Sequence, residues 1–131
     1  MPKVRQTNLF VYGTLRKSAK HTLHRLLLER ADFLGTGSIQ GKLYDLGRYP
    51  GAVCSSRSSD RVTGEIYRLR GGEKSFELLD RYEGKQFKRR RVSVLLRTGA
   101  RLGAWAYLYC GAVREPRRIT SGDYSVFLAH D

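Results

Sequence analysis

The sequence predicts a small α+β fold: a curled sheet, mixed or mostly antiparallel, with two helices. Three observations carry this. Strand-like segments dominate the chain, 14 glycines against 3 prolines divide them with turns, and two stretches of helical spacing are inserted among them. A curled sheet that closes, or nearly closes, leaves no exposed strand edges. With 131 residues and an apolar share of 40%, there is room for one core, so residues 1–131 are read as one domain carrying one site.

Asn8 to Tyr12 is an apolar run of strand formers that stops at Gly13, which predicts a strand feeding a glycine loop. His21 to Leu28 sets Leu23, Leu26 and Leu27 at helical spacing and leaves Arg25, Glu29 and Arg30 for water, the pattern of an amphipathic helix. From Phe33 to Tyr44, Gly35, Gly37 and Gly41 separate pieces too short for helices, so strands joined by tight bends are expected. Tyr49, Pro50 and Gly51 ask for a turn, because proline presets φ and glycine accepts positive φ. Ser55 to Asp60 is a polar connection, and Val62 to Leu69 reads as a strand ended by Gly71 and Gly72.

A second helix is predicted from about Glu73 to Glu83, with Gly84 at the helix-ending position. Val92, Val94 and Leu96 alternate on one further strand, and Trp105, Tyr107 and Tyr109 share a face of the next, with Thr98 to Arg101 as the hairpin turn. In the tail, Ser121, Gly122 and Asp123 precede Tyr124 to Leu128, a capped short helix or an irregular lid.

Lys and Arg number 25 and Asp and Glu 12, a formal net charge of +13. Such a field attracts phosphates, nucleic acid or acidic peptides. The basic residues are spread from Lys3 to Arg118, denser at Lys88 to Arg91 and Arg114 to Arg118, with no interleaved RNA-binding motif, so a solvated basic surface is the first reading and a nucleic-acid partner has no motif behind it. Cys54 and Cys110 show no metal-ligand spacing and are expected as reduced thiols packed as small hydrophobes. No charged-then-apolar leader and no apolar run of roughly twenty residues is found, so a soluble, cytoplasmic protein without a membrane partner is expected. His21 and His24 lie three apart but lack a third ligand at suitable spacing, and no metal is assigned. No G-x-S-x-G elbow, P-loop or dinucleotide fingerprint occurs. Nothing in the pattern specifies an oligomeric state.

Glu83 is the most informative acid. Phe76, Leu79 and Glu83 fall at i, i+3 and i+7 of the second helix, which puts the carboxylate on the apolar stripe while Lys74, Glu77 and Arg81 point elsewhere. Burial there, and the negative carbonyl end of the helix, would both disfavour its charged form and suit it to proton transfer. The alternative is that Gly84 ends the helix early and Glu83 turns to water or pairs with Arg89 or Arg90. The second feature is Val11, Tyr12, Gly13, Thr14, Leu15 and Arg16. Main-chain amides around a glycine converge on an anion such as a carboxylate, and Gly13 admits a close ligand. An ordinary strand-ending turn is the alternative there. Trp105, Tyr107 and Tyr109 read as core, with one tyrosine hydroxyl available to a pocket.

Six pieces in order resemble the γ-glutamylcyclotransferase-like family, particularly its short bacterial YtfP-like branch, over nearly the whole chain. They are VYGTLR from Val11, LYDLGRYPGAV from Leu43, GEIYRL from Gly64, LLDRYEG from Leu78, AWAYLY from Ala104 and ITSGDY from Ile119. The resemblance implies a small β-barrel with flanking helices and no metal or organic cofactor. It implies attack of a γ-glutamyl α-amine on its own γ-carbonyl, releasing 5-oxoproline and an amine or amino acid. Tyr12, Gly13, Thr14 and Leu15 would hold the glutamyl part of a small γ-glutamyl substrate, and Glu83, following Leu79 and Asp80, would be the catalytic glutamate. Phe87 stands where many members have tyrosine, so that hydroxyl is absent or supplied by another residue such as Tyr107. A competing reading is a catalytically silent barrel that binds an anionic partner, nucleic acid or acidic protein. A third joins the two: cyclisation of γ-glutamyl groups carried by a larger acidic partner, with the basic surface as the dock.

Overall fold

The computed structural model describes residues 7–13, 31–70 and 73–129. Among these residues the strands are β1 Asn8–Val11, β2 Ala31–Gln40, β3 Lys42–Asp45, β4 Pro50–Val53, β5 Arg61–Leu69, β6 Phe87–Leu96 and β7 Arg101–Tyr109. The helices are α1 Glu73–Glu83 and α2 Tyr124–Ala129, with a 3-10 turn at Glu115–Arg117. Five strands form a closed barrel in the order β1, β5, β2, β6, β7, and β3 pairs with β4 in a separate two-stranded sheet. Barrel neighbours run antiparallel except β7 and β1, which close the barrel as a parallel pair through Trp105 and Leu9. The α+β barrel with flanking helices is therefore the fold observed. The helix expected over His21 to Leu28 lies outside the described residues.

Strand alternation sorts side chains into two apolar layers. Phe10 of β1 and Tyr12 just past its end, Ile39 of β2, Val62 and Ile66 of β5, Val94 of β6, and Ala104 and Ala106 of β7 fill the interior. Leu9, Val11, Tyr67, Leu69 and Tyr107 face outward and are covered by Phe76 and Leu79 of α1. Both faces of β1 and β5 are thus buried, which is why these strands read as apolar runs without clean alternation. Burying a side chain such as Phe76 contributes about 1.5–3 kcal/mol, so α1 is held by packing more than by its own propensity. Lys74, Glu77 and Arg81 are exposed, as the helical spacing predicts. The helix stops where Gly84 takes a φ of 78°, its N–H on the Asp80 carbonyl at 3.4 Å. The tail forms a capped helix: the Asp123 carboxylate accepts from the Ser125 N–H at 2.9 Å.

Four expectations are corrected. β2 is one ten-residue strand, not short pieces between bends, because nine register pairs with β5 hold it and the irregularity at Gly35 is absorbed as a bulge. Pro50 and Gly51 open β4 instead of forming the turn; the chain reverses just before them, where the Leu46 N–H bonds the Tyr49 carbonyl at 3.0 Å and the Asp45 carboxylate accepts from Gly47 at 2.8 Å. Arg101 belongs to β7, since the hairpin closes one residue earlier with the Leu96 N–H on the Ala100 carbonyl at 2.8 Å. Cys54 and Cys110 are exposed, not packed, for each follows directly on the last residue of a strand, where no sheet neighbour covers it. Among the described residues, no helix is long and apolar enough to cross a membrane.

Candidate active site

Tyr12 continues the inward alternation of β1 and is buried. Its hydroxyl donates to the Tyr107 carbonyl at 2.5 Å and accepts from the Ala52 N–H at 3.1 Å, so it ties the end of β1 to both β7 and β4. A phenol is long enough to bridge three strands at once, and its polar tip is satisfied by main chain. Gly13 follows, and a Cβ there would lie 2.8 Å from Pro50 Cγ, so a residue without a side chain is what lets the chain pass over β4. Thr14 and Leu15, the rest of the predicted cradle, lie outside the described residues.

Tyr107, on the outer face of β7, meets α1. Its hydroxyl donates to Asp80 Oδ1 at 2.6 Å. The same carboxylate holds Arg89 of β6, with Nε 3.2 Å from Oδ1 and Nη2 3.3 Å from Oδ2. The Arg89 guanidinium in turn lies over the rings of Phe76 and Trp105, 4.6 and 4.8 Å from their centroids. Arg89, offered by the sequence as a partner for Glu83, is thus engaged with Asp80. Asp80 and Arg89 meet at this site although the sequence reading gave Asp80 no role of its own; Asp80 falls four residues after Phe76 and is exposed, so it is its contacts with Tyr107 and Arg89 that place it here. Glu83 closes α1 one turn beyond Asp80. Only its backbone is described, and the predicted placement of its carboxylate on the apolar stripe lies outside the described residues.

A cavity of about 300 Å³ opens where α1, β6 and β7 meet, bordered by Asp80, Phe87, Arg89, Arg90, Trp105 and Tyr107. Aromatic walls with a few cations fit a small molecule that carries a negative group. Phe87 stands on this wall with Tyr107, so the cavity offers one phenol oxygen, and that oxygen is oriented by Asp80. Beside the end of β1 lies a carboxylate that strand alternation alone does not reveal: Glu65 of β5 is 6% exposed, sits in register with Val11 and accepts from the Tyr67 hydroxyl at 3.2 Å.

Away from the cavity, the surroundings of a carboxyl and of a phenol shift them from their ordinary values. The hydrogen bond from Ser55 Oγ at 2.5 Å, helped by the Arg118 guanidinium at 3.0 Å, holds the Asp60 carboxyl below its ordinary value. The Tyr44 phenol is raised, first because it donates to the Glu115 carboxylate at 2.7 Å and then by burial. Among the described residues, no three His, Cys, Asp or Glu side chains are grouped to hold a metal ion, and His21 and His24 lie outside them.

Comparison with known proteins aligns with this architecture. Residues 9–126 match the profile of the family described as gamma-glutamyl cyclotransferase, AIG2-like. Over 117 residues the chain is 32% identical to the gamma-glutamylcyclotransferase family protein YtfP of Escherichia coli K12, covering 88% of this chain and 94% of that one. The structure is similar to that of an uncharacterised protein of Pyrococcus horikoshii, with a TM-score of 0.71, 28% identity and 95% of each chain covered. An AIG2-like protein of Mus musculus shares the fold at a TM-score of 0.75 and 23% identity, over 92% of this chain and 89% of that one.

Proposed function

Because this chain belongs to the gamma-glutamyl cyclotransferase, AIG2-like family, we propose that it cyclises a small γ-glutamyl compound, releasing 5-oxoproline and an amine or amino acid. Main-chain amides from Gly13 to Leu15 hold the substrate α-carboxylate and curl the chain so that the α-amine meets the γ-carbonyl, a proximity that five-membered ring closure already favours. The amine nitrogen attacks the carbonyl carbon and Glu83 takes its proton. The new C–N bond closes the ring as the old one breaks, and Glu83 returns the proton to the leaving nitrogen. Atoms and charge balance with one proton relayed, and Tyr107 borders the substrate from β7.

The observation that supports this reading is a hydrogen-bonded path across the barrel surface. The Tyr12 hydroxyl holds the Tyr107 carbonyl and the Tyr107 hydroxyl holds Asp80, so Tyr12 at the end of β1 and Asp80 of α1 are fixed to the same residue of β7. Such a frame suits a reaction in which both ends of one small molecule must be held at once. The test is incubation with a panel of γ-glutamyl amino acids, γ-glutamyl amines and γ-glutamyl-ε-lysine, with detection of 5-oxoproline by mass. Failure of the folded protein to release it from any member of the panel overturns the reading.

A further inference from the structure

We propose that the arginine-lined groove between β2 and β6 binds an extended acidic peptide, which adds to the open edge of β6 as an extra strand. β2 and β6 meet only where Gly37 pairs with Leu96 and Ser38 with Leu95. Past that point Ile39 and Gln40 stay with β5 while β6 stays with β7, so the two strands splay apart. Among the described residues, no strand pairs with this side of β6 between Phe87 and Val94. The gap is a groove of about 550 Å³, with Ile39 and Val92 among its apolar lining and Arg61, Arg90, Arg91 and Arg101 around it.

The backbone of β6 shows which groups face the gap. The Leu96 N–H bonds within the hairpin to Ala100, whereas the Arg97 N–H turns the other way to the Thr36 carbonyl of β2. In an antiparallel ladder the N–H and C=O of alternate residues point to the same side. Those of Arg91 and Ser93 therefore point into the groove, where an added strand would take them.

Charge selects the occupant. Among the described residues, none of the four arginines has a carboxylate within ion-pair distance. Arg61 is fixed by Nε and Nη2 to Ser38, at 3.0 and 2.8 Å. Burial, and then the nearby charge of Arg101, hold the Arg61 guanidinium below its ordinary value. Carboxylates entering the groove relieve this like-charge repulsion. No aromatic ring lines the groove, so the bases of a single-stranded nucleic acid would find nothing to stack on, while the apolar lining and the open strand edge suit a peptide. The inference goes beyond the cyclisation and holds whether or not Glu83 transfers a proton. Arg90 borders both this groove and the cavity at α1, so a bound peptide would run toward the candidate site.

The test is fluorescence anisotropy with a labelled octapeptide alternating Glu and Val, its N-methylated counterpart, and a labelled eight-nucleotide single strand. Saturable binding of the first peptide is expected, weakened at least tenfold by backbone N-methylation and at least tenfold by Arg101→Glu. Ser93→Pro, which removes one edge donor on the open side, should weaken it about fivefold without altering the thermal melt. Because N-methylation is read on the unmodified protein, the test does not depend on how any variant folds. Equal binding of the methylated peptide, indifference to Arg101→Glu, or tighter binding of the oligonucleotide would each overturn the proposal.

Discussion

Tyr107 and Asp80 share a hydrogen bond of 2.6 Å that joins β7 to α1, and the same Tyr107 gives its carbonyl to Tyr12 at the end of β1. Replacing Tyr107 by Phe removes only the hydroxyl, and Asp80 keeps Arg89, so no charge is orphaned. We expect a stability loss of about 1 kcal/mol in chemical denaturation. A larger effect on KM than on kcat is expected as well, since the end of α1 is then less firmly positioned. Unchanged stability and unchanged KM would show that this contact holds nothing in place.

Glu83→Gln keeps the shape of the side chain and removes its ability to take a proton. Release of 5-oxoproline from a verified substrate should fall by about 10²–10⁴-fold, with an unchanged circular dichroism spectrum. Full turnover in this variant would exclude Glu83 as the base.

Gly13→Ala places a methyl group against Pro50, whose Cγ would lie 2.8 Å from it. Pushing the buried Pro50 aside should cost about 1–3 kcal/mol and weaken substrate binding. Pro50→Ala made in the same chain should recover part of the stability, so the double-mutant cycle is expected to be non-additive. Additive losses would mean that the two residues do not press on each other.

Asp60 is held below its ordinary value of 3.8, chiefly by Ser55. A carboxyl depressed in the folded state contributes stability above that value, and this is lost as pH falls through the folded-state value. Ser55→Ala should raise the Asp60 carboxyl back toward 3.8 and move the acid-unfolding midpoint upward. Carbon-13 NMR titration of the carboxyl reads this directly, and an unshifted curve would refute the assignment to Ser55.

The sequence by itself determined the elements whose signals are local. The spacing of Phe76 and Leu79 set the face of α1, Gly84 able to take positive φ set its end, and alternation through Val92 and Val94 set β6. Conserving a period costs a chain nothing beyond its own neighbours, so such features are written in a few consecutive residues. Tertiary structure decided the rest. Glu65 is 6% exposed on β5, in register with Val11, and alternation along its own strand does not mark it as buried. Gly35 and Gly37 do not break β2 because β5 pairs along its length, and Cys54 and Cys110 are exposed because they fall just past strand ends. Tyr107, which donates to Asp80, lies 27 residues away on another element. Contacts of that kind depend on which strands pair and which face a helix covers, and no window of neighbouring residues contains that information.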